Sequence, residues 1–138
     1  MEFETEEDII TLLRYVYKNG YSQKINENII NELIKVFELN NILNKKTQEI
    51  SKGEMQRVIM VFSLLYGTKI IFMDEPVFAL ENYQKHNILS YLYNYAKKNG
   101  ITIIYSIHEL ELSEKYSDNL LIFYKDKNPK IGKTSTLF

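Results

Sequence analysis

Apolar and polar positions repeat along this chain with two periods, and each change of period marks an element. Over residues 5–18, Ile9, Leu12, Leu13, Val16 and Tyr17 recur at helical spacing, preceded by an acidic first turn that suits the positive end of a helix dipole. Asn19-Gly20 closes that helix. Residues 26–38 repeat the pattern with Ile29, Ile30, Leu33, Ile34 and Phe37, and Asn40-Asn41 interrupts it before a short turn at Ile42 and Leu43. Residues 54–66 are apolar on almost every side, which predicts an interior helix bridging the helical part to the sheet. Residues 70–73 are an unbroken apolar run ending on Asp74 and Glu75. They read as a buried strand that carries two carboxylates to the end of a parallel sheet, where α/β proteins bind ligands. Residues 80–98 predict a helix capped by Asn99-Gly100, residues 101–105 a second buried strand, 109–116 a short helix and 119–124 a third strand. This alternation calls for an α/β fold, a mostly parallel sheet with right-handed crossovers behind an N-terminal helical part. After Lys125 the pattern fades into a turn and a polar tail.

Composition narrows the class. With 138 residues, 45% of them hydrophobic, one core is expected, burying roughly two thirds of the unfolded surface. The net charge is -1 and no Lys/Arg stripe is present, so no nucleic-acid partner is expected. The absence of cysteine removes disulfides and thiolate chemistry and fits a reducing compartment. The longest apolar run, residues 58–66, is about half a membrane span. The acidic N-terminus does not resemble a signal peptide, so a cytoplasmic location is expected.

The candidate chemistry lies in residues 50–76. Ser51 and Glu54 have the spacing of a capping box, and a helix start of this kind is also an anion site. Asp74 and Glu75 suit phosphoryl transfer, which asks for placement and charge stabilisation, although a strand end bearing two solvated acids is the plainer alternative. His108 comes after the second strand, where a histidine also serves as a cap or a surface residue. His86 reads as an exposed helical residue without a role.

At these residues the chain resembles the ATP-binding-cassette family. Ile50-Ser51-Lys52-Gly53-Glu54-Met55-Gln56-Arg57 is similar to that family's signature sequence, and Ile70-Ile71-Phe72-Met73-Asp74-Glu75-Pro76 to its Walker B strand. Val77-Phe78-Ala79-Leu80-Glu81 is similar to its D-loop, and Ile104-Tyr105-Ser106-Ile107-His108-Glu109 to its switch-histidine segment. The four occur in the family's order. The resemblance implies part of a P-loop NTPase-like three-layer fold, with residues 1–66 as the helical subdomain and signature helix and 67–138 as the Walker B and switch part of the core. It implies that Asp74 holds Mg²⁺ through water, Glu75 activates the attacking water and His108 contacts the γ-phosphate. Ser51, Lys52, Gly53 and Glu54 would meet an ATP held by the opposite subunit, with Glu81 in the D-loop beside them. Lys52, Glu54 and Glu81 depart from the family's glycine, glutamine and aspartate.

The family's phosphate loop, Gly-x-x-x-x-Gly-Lys-Ser/Thr, is not found before the first helix. Gly132-Lys133-Thr134-Ser135 copies only its end, with Lys127 in the place of the first glycine, and reads as the polar end of a late β segment. The chain alone is therefore expected to bind ATP weakly or not at all. The strands at 101–105 and 119–124 are expected either to pair directly or to stand apart with edges open to a partner. The partners implied are a missing N-terminal half or second ATPase subunit, a membrane transport subunit, and further copies of the chain by self-association. The alternative is a non-catalytic dimerisation or regulatory module of the same descent. A third reading, an ATPase of DNA repair or chromosome organisation, has Glu54 in its favour and lacks the long insertions of those branches.

Overall fold

The structure, a computed structural model, describes residues 5–21 and 27–137. Helix α1 (Ile9–Asn19) begins at Ile9 rather than Thr5, because Asp8 acts as its N-cap. The Asp8 carboxylate accepts from the Thr11 N–H at 3.1 Å, and its backbone bridges to Lys46. The acidic residues therefore precede the helix instead of filling its first turn, still at the positive end of its dipole. Helix α2 (Glu27–Val36) buries Ile30, Leu33 and Ile34, and Phe37 just beyond it; the predicted start at Asn26 lies outside the described residues. Short 3-10 turns at Asn40–Ile42 and Thr47–Glu49 lead to α3.

Helix α3 (Lys52–Tyr66) has the predicted capping box. The Glu54 N–H donates to Ser51 Oγ at 3.1 Å, and the Ser51 N–H donates to Glu54 Oε1 at 2.8 Å. The helix ends on Gly67 at φ 83, a left-handed cap that glycine adopts without strain. Val58, Met60, Val61, Leu64 and Leu65 are buried while Ile59 is exposed, so one stripe of this mostly apolar helix faces out. Arg57 is buried as well. Its Nη1 donates to the carbonyls of Phe37 and Glu38 at 2.9 and 2.8 Å, satisfying the end of α2 and tying it to α3.

Strand β1 (Ile70–Asp74), helix α4 (Asn82–Asn99) and strand β2 (Thr102–Ser106) form a parallel β-α-β unit, with Phe72 opposite Ile104 and Asp74 opposite Ser106. After α5 (Leu110–Tyr116), strand β3 (Asn119–Ile122) pairs with β4 (Lys130–Lys133) in an antiparallel hairpin, and α6 (Thr134–Leu137) is a single turn. Buried side chains from Ile9 in α1 to Leu112 in α5 form one hydrophobic cluster.

One open alternative is decided and two expectations change. β2 and β3 do not pair: each two-stranded sheet stands apart, the second of the two arrangements expected. The polar tail is a strand and a helical turn, since Lys130–Lys133 gives β3 the partner that β2 does not. Within it, Thr134 is buried, donating its N–H to the Asp118 carbonyl at 2.9 Å, so the phosphate-loop look-alike is a packed corner of the hairpin. Finally, β1 and β2 are not buried on both faces. Ile71 and Met73 enter the core, but Ile70, Phe72 and Ile104 are 55%, 75% and 49% exposed, because helices cover one side of this sheet only. Of a three-layer architecture, two layers are present among the described residues.

Candidate functional site

The parallel pairing of β1 and β2 delivers their C-terminal ends to the same place. Asp74 stands opposite Ser106, whose hydroxyl donates to Asp74 Oδ1 at 2.6 Å and accepts from the Glu75 N–H at 2.9 Å. One serine thus joins the side chain of the first acid to the backbone of the second. Glu75 has φ 45, a left-handed backbone that glutamate seldom adopts and that surrounding structure must hold. This bend turns its side chain to His108, where Nε2 and Glu75 Oε1 are in close contact. Glu75, Val77, Phe78, Lys85, Ile107, His108 and Glu109 line a shallow depression of about 30 Å³ at the strand ends. The Lys85 ammonium closes one side by pairing with the Glu109 carboxylate.

The tip of α3 lies against the turn immediately after Glu75. A Cβ on Gly53 would sit 2.9 Å from the Ala79 carbonyl oxygen, so only glycine permits this approach without a shift. The Lys52 ammonium lies 5.6 Å from the centre of the exposed Phe78 ring. Gln56, one turn further along α3, accepts from the Ala79 N–H at 3.0 Å and donates to the Glu75 carbonyl at 3.4 Å. Glu81 is the N-cap of α4, its backbone N–H held by Gln84 Oε1 at 3.2 Å. The Glu54 carboxylate is held below its ordinary range, chiefly by the Ser51 N–H. Its charge is thus partly occupied with the helix's own start.

The structure therefore brings Asp74, Glu75 and His108 together and attaches Ser51–Glu54 to the same turn through Gly53 and Lys52. Sequence reasoning missed two contributors. Ser106 gains its place only from the strand register, and Gln56 lies within the signature-like segment, where its residue type alone suggested no role. His86 also departs from its reading as an exposed residue: it is half-buried, with Nδ1 2.8 Å from the Tyr116 hydroxyl, and joins α4 to α5.

Mg²⁺ takes one or two carboxylates together with phosphate and water oxygens, and Asp74 with Glu75 fits that demand. No cluster of three or more His, Cys, Asp or Glu residues among those described is arranged as a metal site by itself. The depression is too small to enclose a nucleotide.

A parallel β-α-β unit with acids and a histidine at its strand ends, joined to a helical part, is a portion of the P-loop nucleoside triphosphatase fold. The solved ATP-binding subunit of an ABC transporter superposes with a TM-score of 0.80 at 26% identity, over 99% of this chain and 57% of that one. In sequence, the oligopeptide transport ATP-binding protein OppF of Escherichia coli is 28% identical over 120 residues, covering 87% of this chain and 36% of that protein. The zinc import ATP-binding protein ZnuC of Wolbachia sp. subsp. Brugia malayi is 29% identical over 132 residues, covering 91% and 54%. No protein-family model matches the chain. By sequence and by fold the chain is similar to part of an ATP-binding-cassette ATPase domain. It spans roughly a third to a little over half the length of these relatives.

Proposed function

We propose that this chain is the signature-and-hydrolysis part of an ABC ATP-binding subunit that couples ATP binding and hydrolysis to membrane transport. Residues 1–66 serve as its helical part and 67–138 as the Walker B and switch part. The observation that carries the reading is Glu75, which follows Asp74 at the strand end and is bent by a left-handed backbone into contact with His108. Mg²⁺ supplies charge neutralisation at the terminal phosphate when bound. Asp74 would hold it, and Glu75 would orient and deprotonate the attacking water. His108 would contact the terminal phosphate. Ser51, Lys52, Gly53 and Glu54 present the start of α3 to the nucleotide of a second subunit, and Glu81 lies beside it in the D-loop.

The phosphate loop that grips ATP comes from outside these 138 residues, and the bare face of β1 and β2 is where the part carrying it packs. The helical part meets a membrane transport subunit, and the protein works in the cytoplasm at the inner face of the membrane. No helix among the described residues is long and apolar enough to cross a membrane.

Mixing the chain with the phosphate-loop half of a cassette and measuring phosphate release tests this reading. We expect Mg-dependent release that neither part gives alone. Glu75→Gln should reduce it by about a hundredfold or more, the scale of losing a general base. Release that is undiminished by Glu75→Gln would overturn the assignment. A complex that forms and releases no phosphate would select the non-catalytic dimerisation or regulatory module, which the bare sheet face also fits.

A further inference from the structure

Two described non-glycine residues have a left-handed backbone, Glu38 and Glu75. Adjacent residues of α3 reach both. Arg57 donates to the Glu38 carbonyl at 2.8 Å, and Gln56 donates to the Glu75 carbonyl while accepting from the Ala79 N–H. Arg57 thus fastens α3 to the end of α2, and Gln56 fastens it to the turn that carries Glu75. The Glu75 N–H is held independently from the sheet by Ser106. Glu75 is accordingly suspended between a rigid strand and a helix belonging to the helical part.

We propose that Gln56 is a positioning residue that makes the placement of the Glu75 carboxylate depend on where α3 lies. The inference rests on reading Glu75 as the hydrolytic carboxylate and adds a route by which the helical part regulates it. With the Gln56 bonds made, the bend at Glu75 is enforced at its carbonyl as well as its N–H, and the side chain stays beside Asp74 and His108. When α3 withdraws from the turn, the Glu75 carbonyl and Ala79 N–H are released together, the left-handed backbone relaxes, and the carboxylate leaves His108. Ser106 alone holds the N–H and leaves ψ free. A motion of the helical part is therefore converted into a change in the hydrolytic group without any contact between α2 and the strand ends.

The test uses Gln56→Leu, which is one atom shorter and loses both bonds, and Gln56→Glu, which keeps the acceptor for Ala79 and loses the donor to Glu75. In the chain alone, the His108 ring resonance and amide hydrogen exchange are followed by NMR, with Glu75→Gln marking the position of the ring signal when the acid is neutralised. Gln56→Leu should speed exchange at Ala79 and move the His108 signal toward its Glu75→Gln position. Gln56→Glu should move the His108 signal and spare Ala79. In the reconstituted pair, both variants should lower kcat by about tenfold to a hundredfold, the range for a misplaced catalytic group, with KM for ATP within about twofold. A His108 signal that stays at its unsubstituted position in both variants overturns the inference, as does an unchanged kcat. If the unsubstituted pair releases no phosphate, the hydrolytic reading fails, while the His108 and Ala79 signals still decide whether Gln56 governs Glu75. Should Gln56→Leu not fold, Gln56→Glu decides alone.

Discussion

At the scale of single residues, the site is an arrangement of backbone bonds as much as of charges. Asp74 and Glu75 were legible in the sequence because they end an apolar run, where a strand must deliver them, and His108 only through its place in the motif order of the family resemblance. Ser106 was not, since its two bonds depend on the register that sets Asp74 opposite it. The left-handed backbone of Glu75 is equally silent, because nothing in the residue type asks for it. Behind the site, Tyr105 of β2 packs inward and donates its hydroxyl to the Tyr116 carbonyl at 3.1 Å. Burial raises its phenol from the ordinary 10.0 to about 12, and burial also raises Tyr91 and Tyr95. The folded chain keeps protons that the unfolded chain sheds, so this stability is complete below pH 10 and lost as pH rises toward about 12. Thermal melts between those values should show a falling midpoint. Tyr105→Phe should flatten the slope, even though it lowers the midpoint at neutral pH by removing the hydroxyl's bond. An unchanged slope would place the alkaline sensitivity elsewhere.

At the scale of elements, α3 connects the two parts. Its capping box was readable from Ser51 and Glu54, a purely local signal over four residues, and both bonds are present. The contact of its first turn with the Phe78-Ala79 turn was not readable, since it joins residues far apart in the chain. Gly53 is the residue that contact requires. In Gly53→Ala the added methyl would meet the Ala79 carbonyl oxygen, backbone that cannot rotate aside. A loss of about 1–2 kcal/mol in urea unfolding is expected, within the usual cost of overpacking, together with faster exchange at the Ala79 amide. Wild-type stability in this variant would mean that the tip does not rest on the turn. The strands show the same division between local and distant signals. Their positions were legible from apolar runs, but an unbroken run does not reveal whether one face or both will be covered, and β1 proved to be covered on one.

At the scale of the whole molecule, the uncovered face is the main consequence of the architecture. Ile70, Phe72 and Ile104 form an apolar patch leading to the acids, and Leu121 and Ile131, paired across the β3–β4 hairpin, are exposed as well. Apolar surface of this kind favours association. We expect the chain by itself to self-associate in sedimentation velocity. Phe72→Asp should hold it monomeric at concentrations where the unsubstituted chain is not, and monomers in both would count against this use of the face. What the sequence determined alone was what short-range pattern carries: the positions of α1 to α5 and β1 to β3, the capped start of α3, and the order of the motifs that carries the family resemblance. Tertiary structure decided what depends on distant residues meeting. That includes the separation of the two sheets, the exposure of Phe72, the burial of Thr134 in the hairpin corner and the suspension of Glu75 between Ser106 and Gln56. The division has a physical cause. Local periodicity states which residues prefer burial or a cap, whereas strand register and helix docking are set by the competition of all such preferences at once.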